Sequence, residues 1–301
     1  MMKKTRMKTS WDDRLFDIIT WTFLILFILI VMYPLYFVVI ASFSDPTYVN
    51  TGKVVFLPKG VTLMGYQRVF SDQKIFTGYG NTLLYTGVGT ILGLCVTMLA
   101  GYSLSRKDLP GASIIMMLFV FTMYFSGGMI PMYLVVKGLN LVNTRMLMFL
   151  LGSVSVYNII ITRSFLAGNM SDELLDAARI DGCGNARFFF SIVIPLSKAI
   201  IAVIALYIAV VHWNSYFNAM IFLTDESKYP LQLYLRQILL SAQSSIDASS
   251  ISDPEAALKL QQMGQVIKYG VIVVSTVPII CVYPFVQKYF VKGVMVGSVK
   301  G

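Results

Sequence analysis

"DELLDAARIDGCGNARFFFSIVIP" (172–195) is a charged, glycine-punctuated stretch set between two long apolar runs, and its reading decides the fold. Ser171 stands just before it as a hydroxyl cap, and Asp172 and Glu173 fall in the first turn, where a helix dipole favours negative charge. Gly182, directly after Asp181, reads as a left-handed terminator. The pattern predicts a helix of about ten residues, a turn at "DGCG" (181–184) and a second helix from near Asn185 toward Pro195. On the first helix Leu174, Leu175 and Ala178 share one side, and Asp172, Asp176 and Arg179 lie on the other. Such a pair is too short and too polar to cross a bilayer. From the residues alone it is either an amphipathic helix lying on the membrane interface or, because Ala177 and Ala178 are small, a surface that a partner approaches closely.

The sequence on either side belongs to a membrane protein. Of 301 residues 56% are hydrophobic and 13% charged, against about 25% charged in an ordinary soluble domain. Continuous apolar runs of about 20 residues match the length needed to cross a hydrocarbon core, and they do not alternate as barrel strands would. Six spans are placed at about 16–42, 80–104, 112–136, 146–166, 199–222 and 267–290. The net charge of +9 comes from Lys and Arg that flank these runs, so it is a topology signal and not a nucleic-acid footprint. Clusters at Lys3 to Arg14, "SRKDLPG" (105–111), 163–198 and Lys288 to Lys300 fall on one side when both termini are cytoplasmic. The first apolar stretch is too long for a signal peptide, so it is a retained span. Residues 1–15 are then a cytoplasmic segment and 16–301 one transmembrane domain, with a cytoplasmic loop at about 167–198 and outer loops at about 43–79 and 223–266.

Within the spans, "GTILG" (89–93) is a small-xxx-small pattern that admits a neighbouring backbone. "FSGGMIP" (125–131) predicts a bent or broken outer end of the third span. The fifth span, taken as one helix from 199 to 222, carries the only histidine near its midpoint. Along such a helix His212 and Tyr216 share one face, and Asn214 and Asn218 nearly the opposite one. Neither face suits lipid, so the helix is placed inside the bundle. Trp213 and Tyr216 offer platforms for sugar rings, with the amides as hydroxyl partners. The alternative is that these residues only join helices.

Chemistry on the chain itself is not expected. There is no phosphate loop, since "TGKV" (51–54) lacks the hydroxyl after Lys53, and no HExxH or GxSxG element occurs. Cys95, Cys183 and Cys281 form no CxxC and suggest neither a disulfide framework nor a zinc site.

The central stretch resembles the cytoplasmic EAA loop of ABC-importer permeases, whose pattern is E-A-A, three residues, Gly, nine residues, then I-x-L-P. Asp176, Ala177 and Ala178 stand in the first places, Gly182 in the glycine place, and Ile192, Ile194 and Pro195 in the last, with Asp for Glu and Ile for Leu. "HWNSYFNAMIFL" (212–223), "YPLQLYLRQ" (229–237) and "QKYFVKGVMVGSVKG" (287–301) extend the resemblance to carbohydrate permeases of the maltose-transporter type, in the subgroup serving complex polysaccharide fragments. The resemblance implies that Glu173, Asp176, Ala177, Ala178, Asp181, Gly182 and Pro195 couple to a separate cytoplasmic ATPase. That ATPase holds ATP and magnesium, and the tail reaches toward it. Further implied partners are a second permease, two ATPase subunits in all, an extracytoplasmic sugar-binding protein and an oligosaccharide cargo. A proton- or sodium-coupled secondary transporter using His212 is the competing expectation; a membrane scaffold is a third.

Overall fold

The computed structural model describes residues 11–247, 264, 267–282, 284 and 287. The basic cluster from Lys3 to Lys8, the polar stretch 248–253, most of the C-terminal end of the sixth predicted span and the C-terminal tail lie outside the described residues. Among the described residues the only regular structure is helical. Two helices are long and apolar enough to span a membrane alone, and up to four spans result if each of two bent pairs counts as one.

Two compact units divide the chain, residues 1–69 with 239–274 and residues 70–238 with 275–301. In the first, α1 (Trp11–Ser42) carries apolar residues around its whole circumference and leaves nearly all of them exposed, as lipid or a partner requires. Only its last residues pack, where Ile40 and Ala41 join Val49 and Val54 under Phe37 and Tyr269. Asp45 caps α2 (Pro46–Asn50) through the Thr47 amide, and Ser42 Oγ lies 2.7 Å from the hydroxyl of Tyr66 in α3 (Met64–Phe70).

The second unit is built around α4 (Gln73–Ser105), a rod of about 50 Å at 1.5 Å per residue. Its buried stripe runs through Ile75, Gly78, Thr82, Tyr85, Gly89, Gly93, Thr97, Gly101 and Leu104, at steps of three and four. The glycines are there for closeness. A Cβ on Gly93 would stand 2.2 Å from the Ser153 carbonyl oxygen, and one on Gly101 would stand 2.6 Å from Thr162 Cγ2. Gly87, off the stripe, faces open space.

Three further segments are broken. α5 (Ala112–Tyr124) and α6 (Met129–Gly138) meet at 113°, where Gly128 adopts a positive φ of 87°, so the predicted break at "FSGGMIP" is present. The fourth span was expected to be continuous over 146–166, but it consists of α7 (Arg145–Leu150) and α8 (Val156–Asn169). Between them Gly152 takes φ +88°, and Ser153 Oγ donates to the Gly89 carbonyl at 3.0 Å and also bonds that of Phe149. Ser153 itself is buried, so these bonds satisfy its hydroxyl inside the protein, while Gly152 and Val154 on either side are exposed.

α9 (Asp172–Ile180) is followed by α10 (Asn185–Leu196), which contains a π-helical turn over Phe189–Val193 just ahead of Pro195. α11 (Lys198–Trp213) leaves α10 at 82°. The predicted fifth span does not continue to 222. It stops at Trp213, and α12 (Tyr216–Phe222) restarts after Asn214 and Ser215. Asn214 Nδ2 donates back to the Val210 carbonyl at 2.9 Å and Ser215 Oγ to that of His212 at 2.7 Å, so side chains take carbonyls that the ladder would use. The helical-wheel pairing of His212 with Tyr216, and of Asn214 with Asn218, therefore does not apply across the break. α13 (Leu231–Asp247) and α14 (Ile267–Val282) complete the described helices.

Candidate functional site

The knuckle formed by α9 and the start of α10 is specified by local chemistry. Ser171 Oγ accepts from the Leu174 amide at 3.4 Å, with Asp172 and Glu173 in the first turn. At the other end the Cys183 amide donates to the Ala178 carbonyl at 2.8 Å and the Gly182 amide to that of Arg179 at 3.0 Å. This is a Schellman termination, and it requires the φ of +71° that Gly182 supplies.

The apolar side of α9 is occupied. Ala178 is buried in a cluster with Met98, Leu166, Phe188, Phe189 and Val193, and Leu174 and Leu175 pack against it. Ala178 therefore faces the protein interior, and a lipid surface has no free apolar stripe to take up. Glu173, Asp176, Ala177, Asp181, Gly182 and Pro195 are exposed. Between Arg179 and Asp181 stands Ile180, 87% exposed. Sequence reasoning passed it over as an ordinary helix residue, although an isoleucine adjoining the terminating Asp–Gly breaks the polar pattern of that face.

An ionic bracket fixes the knuckle to the C-terminal end of α4. Arg106 donates twice to Asp108, at 2.8 Å and 2.5 Å, and Arg179 donates to the same carboxylate at 2.7 Å. Arg106 Nη1 also reaches the Tyr102 hydroxyl and Asn185 Oδ1, both at 2.9 Å. Lys107 pairs with Asp172 at 2.6 Å. One turn, "SRKDLPG" (105–111), thus holds both helices of the knuckle. Hydrogen bonding from Arg106, joined by Arg179, keeps the Asp108 carboxyl well below the usual carboxylate range. The same pairing raises Arg106 above its ordinary value. A cleft of about 570 Å³ opens between the two parts, lined by Tyr102, Arg106, Asp108, Ser171, Asp172 and Arg179 among others. In the sequence these residues are only charge flanking a span, because nothing in local spacing signals a pair 71 residues apart.

The opposite end of α4 is fastened by neutral bonds. Asn81 Nδ2 donates to the carbonyls of Ser227 and Tyr229 at 2.8 Å and 3.0 Å, and the Tyr85 hydroxyl to that of Lys228 at 2.7 Å. Thr82 Oγ1 accepts from the Leu231 amide at 2.8 Å. Gly78 lets Leu231 and Tyr234 lie against the helix. Lys74 and Glu226 add one exposed ion pair at 2.5 Å.

The residues expected along a substrate pathway are separated into two groups. His212 is 1% exposed. Its Nδ1 lies 3.0 Å from the Ile208 carbonyl, which makes Nδ1 the donor, and Nε2 is 3.4 Å from Ser153 Oγ. A Cβ on Gly89 would stand 2.2 Å from Nε2, so the ring fills the notch that this glycine leaves. Trp213 is buried too, its Nε1 donating to the Ser275 carbonyl at 3.1 Å. Asn214 and Tyr216 are exposed and Asn218 is half-buried.

No family model matches the chain. Whole-length relatives do. It is 40% identical over 290 residues to the polygalacturonan/rhamnogalacturonan transport system permease protein YtcP of Bacillus subtilis, covering 96% of this chain and 99% of the relative. The solved structure of a bacterial ABC transporter involved in the import of the acidic polysaccharide alginate contains a chain that is 33% identical and superposes with a TM-score of 0.82, covering 94% of this chain and 99% of that one. This protein belongs to the permeases of ABC sugar and polysaccharide transporters. Protein LplC of B. subtilis is 37% identical over 295 residues, covering 98% of both chains. The arabinooligosaccharides permease AraQ of Halalkalibacterium halodurans is 27% identical, covering 90% of this chain and 92% of its own. As an ABC permease the chain is a multi-pass protein of the cytoplasmic membrane, and its relatives are transport permeases rather than enzymes. That membership does not favour an ion-coupled transporter built on His212.

Proposed function

We propose that the chain is one half of the pore of an ATP-driven importer for oligosaccharides or polysaccharide fragments. In this reading it crosses the membrane six times with both termini inside, and a second permease completes the pore. Two ATPase subunits carry ATP and magnesium beneath it, and an extracytoplasmic binding protein delivers the sugar.

The braced knuckle is the observation that carries the reading. A helix whose apolar face is already buried, whose termination is fixed at Gly182 and whose outer face presents Glu173, Asp176, Ala177, Ile180 and Asp181 is a rigid plug for a cleft on another protein. Closure of the ATPase pair moves the plug, and the ionic bracket passes the displacement to α4. The far end of α4 holds part of the loop from Thr224 to Tyr234, which in this reading is the docking surface for the delivery protein. ATP thereby alternates the cavity between inward and outward access, provided the knuckle contacts differ between the two states. His212 and Trp213 join helices in this scheme, whereas Asn214, Tyr216 and Asn218 remain on the sugar's side.

Purification of the complex from its native membrane tests the reading. The expected companions are an ATPase, a second permease and a sugar-binding protein, with ATP hydrolysis stimulated by loaded binding protein. A chain that purifies without an ATPase would remove it.

A further inference from the structure

Arg236 stands out in the outer part of the second unit. Its guanidinium lies over the Tyr216 ring at 4.9 Å, and Nη1 is 3.0 Å from the Met220 sulfur. No carboxylate lies within 4.0 Å of it among the described residues. The nearby segment has carboxylates, but they are engaged: Glu226 by Lys74 at 2.5 Å and Asp225 by Lys228 at 3.2 Å. A fork of five donors is thus met by a thioether, a weak acceptor, and by an aromatic face that leaves its in-plane N–H groups free.

Such an arrangement is poor for lipid and good for an acidic sugar. An unpaired guanidinium is not left facing hydrocarbon, so this side of α12 and α13 turns toward water or a polar ligand. Tyr216 is 39% exposed and supplies a ring on which a pyranose stacks, and the planar fork matches a carboxylate in two parallel bonds. Resting on the importer reading above, we infer that Arg236 and Tyr216 form a subsite for the carboxylate of a uronate-bearing oligosaccharide. Tyr216 carries the ring and Arg236 reads the acid, so this permease itself selects charged sugars over neutral ones of the same shape.

The test is direct titration of the assembled transporter in lipid nanodiscs, without the delivery protein, using trigalacturonate and its carboxyl-reduced neutral counterpart. Wild type should bind the uronate more tightly, and by a smaller margin as salt is raised. Arg236→Gln should weaken uronate binding roughly tenfold or more, as expected for a lost charge-assisted pair, and leave the neutral sugar unchanged; Arg236→Lys should fall between. Equal weakening of both sugars, or no change in either, would show that Arg236 only packs α13 on Tyr216. A wild type that binds neither sugar also overturns the subsite, while copurification and stimulated hydrolysis still stand as the separate test of the importer. If Arg236→Gln instead splits the two permeases on size exclusion, the carboxylate belongs to the partner chain and the subsite is refuted.

Discussion

The two ends of α4 are held in different ways. At the C-terminal end charges do the fastening, with Asp108 shared by two guanidinium groups and Lys107 on Asp172. At the N-terminal end side chains of Asn81, Thr82 and Tyr85 bond backbone groups of 227–231, glycine at 78 brings the chains together, and a single exposed ion pair, Lys74 with Glu226, is added at the rim. Neutral bonds to backbone fix a loop in one register. Exposed ion pairs are individually weak, tolerate shifts in geometry and are screened by salt. Under the proposed coupling, the ionic fastening suits a part that is pushed from outside the chain, and the neutral one suits a part that must follow without slipping.

The largest effect should come from interrupting the rod between its ends. Gly93→Val brings a side chain onto the Ser153 backbone, which cannot swing away, and should cost at least about 1–3 kcal/mol and abolish assembly, read as loss of the complex on size exclusion. Gly87→Ala, facing open space, should leave assembly intact and raise stability by about 0.5–1 kcal/mol. If both variants behaved alike, the buried stripe would not be the feature that matters.

Next is the ionic bracket. Asp108→Asn should lower binding-protein-stimulated ATP hydrolysis roughly tenfold while basal hydrolysis persists, and raising the salt should have the same effect in milder form on the wild type. The bracket should be insensitive to pH over the ordinary range. The Asp108 carboxyl is depressed in the folded protein, so its contribution is complete above the usual carboxylate value of about 4 and is lost only as pH falls through the lower folded value. A loss of coupling between pH 8 and 5 would point to another group.

A smaller effect is expected at the N-terminal end of α4. Tyr85→Phe removes one hydroxyl bond to Lys228 and should cost about 0.5–1.5 kcal/mol, seen as faster amide exchange across 227–231, with no response to salt. Salt sensitivity there would erase the contrast between the ends. His212→Ala adds a check on the middle of the rod: it empties the notch at Gly89 and should lower stability, and a loss of uptake without loss of stability would place the imidazole on the pathway instead.

What the sequence disclosed followed the range of the forces involved. The knuckle was legible because its cap, first-turn acids and terminating glycine act within a few residues of one another. So was the break at Gly127–Gly128. The interruptions at 151–155 and 214–215 lie at small and polar residues that an unbroken buried span also tolerates, and their cause lies in tertiary contacts such as Ser153 with Gly89 and in side chains that compete for the ladder. Asp108 and Arg236 left no periodic trace either. Their roles depend on partners distant in the chain, and composition registered them only as charge near a span.

The most direct measurement is photo-cross-linking from position 177, whose side chain points outward beside Ile180. A photoreactive phenylalanine placed there in the intact membrane complex should capture the ATPase subunit, with a yield that changes when nucleotide is trapped. Capture of lipid alone, in every nucleotide state, would contradict mechanical coupling through the knuckle.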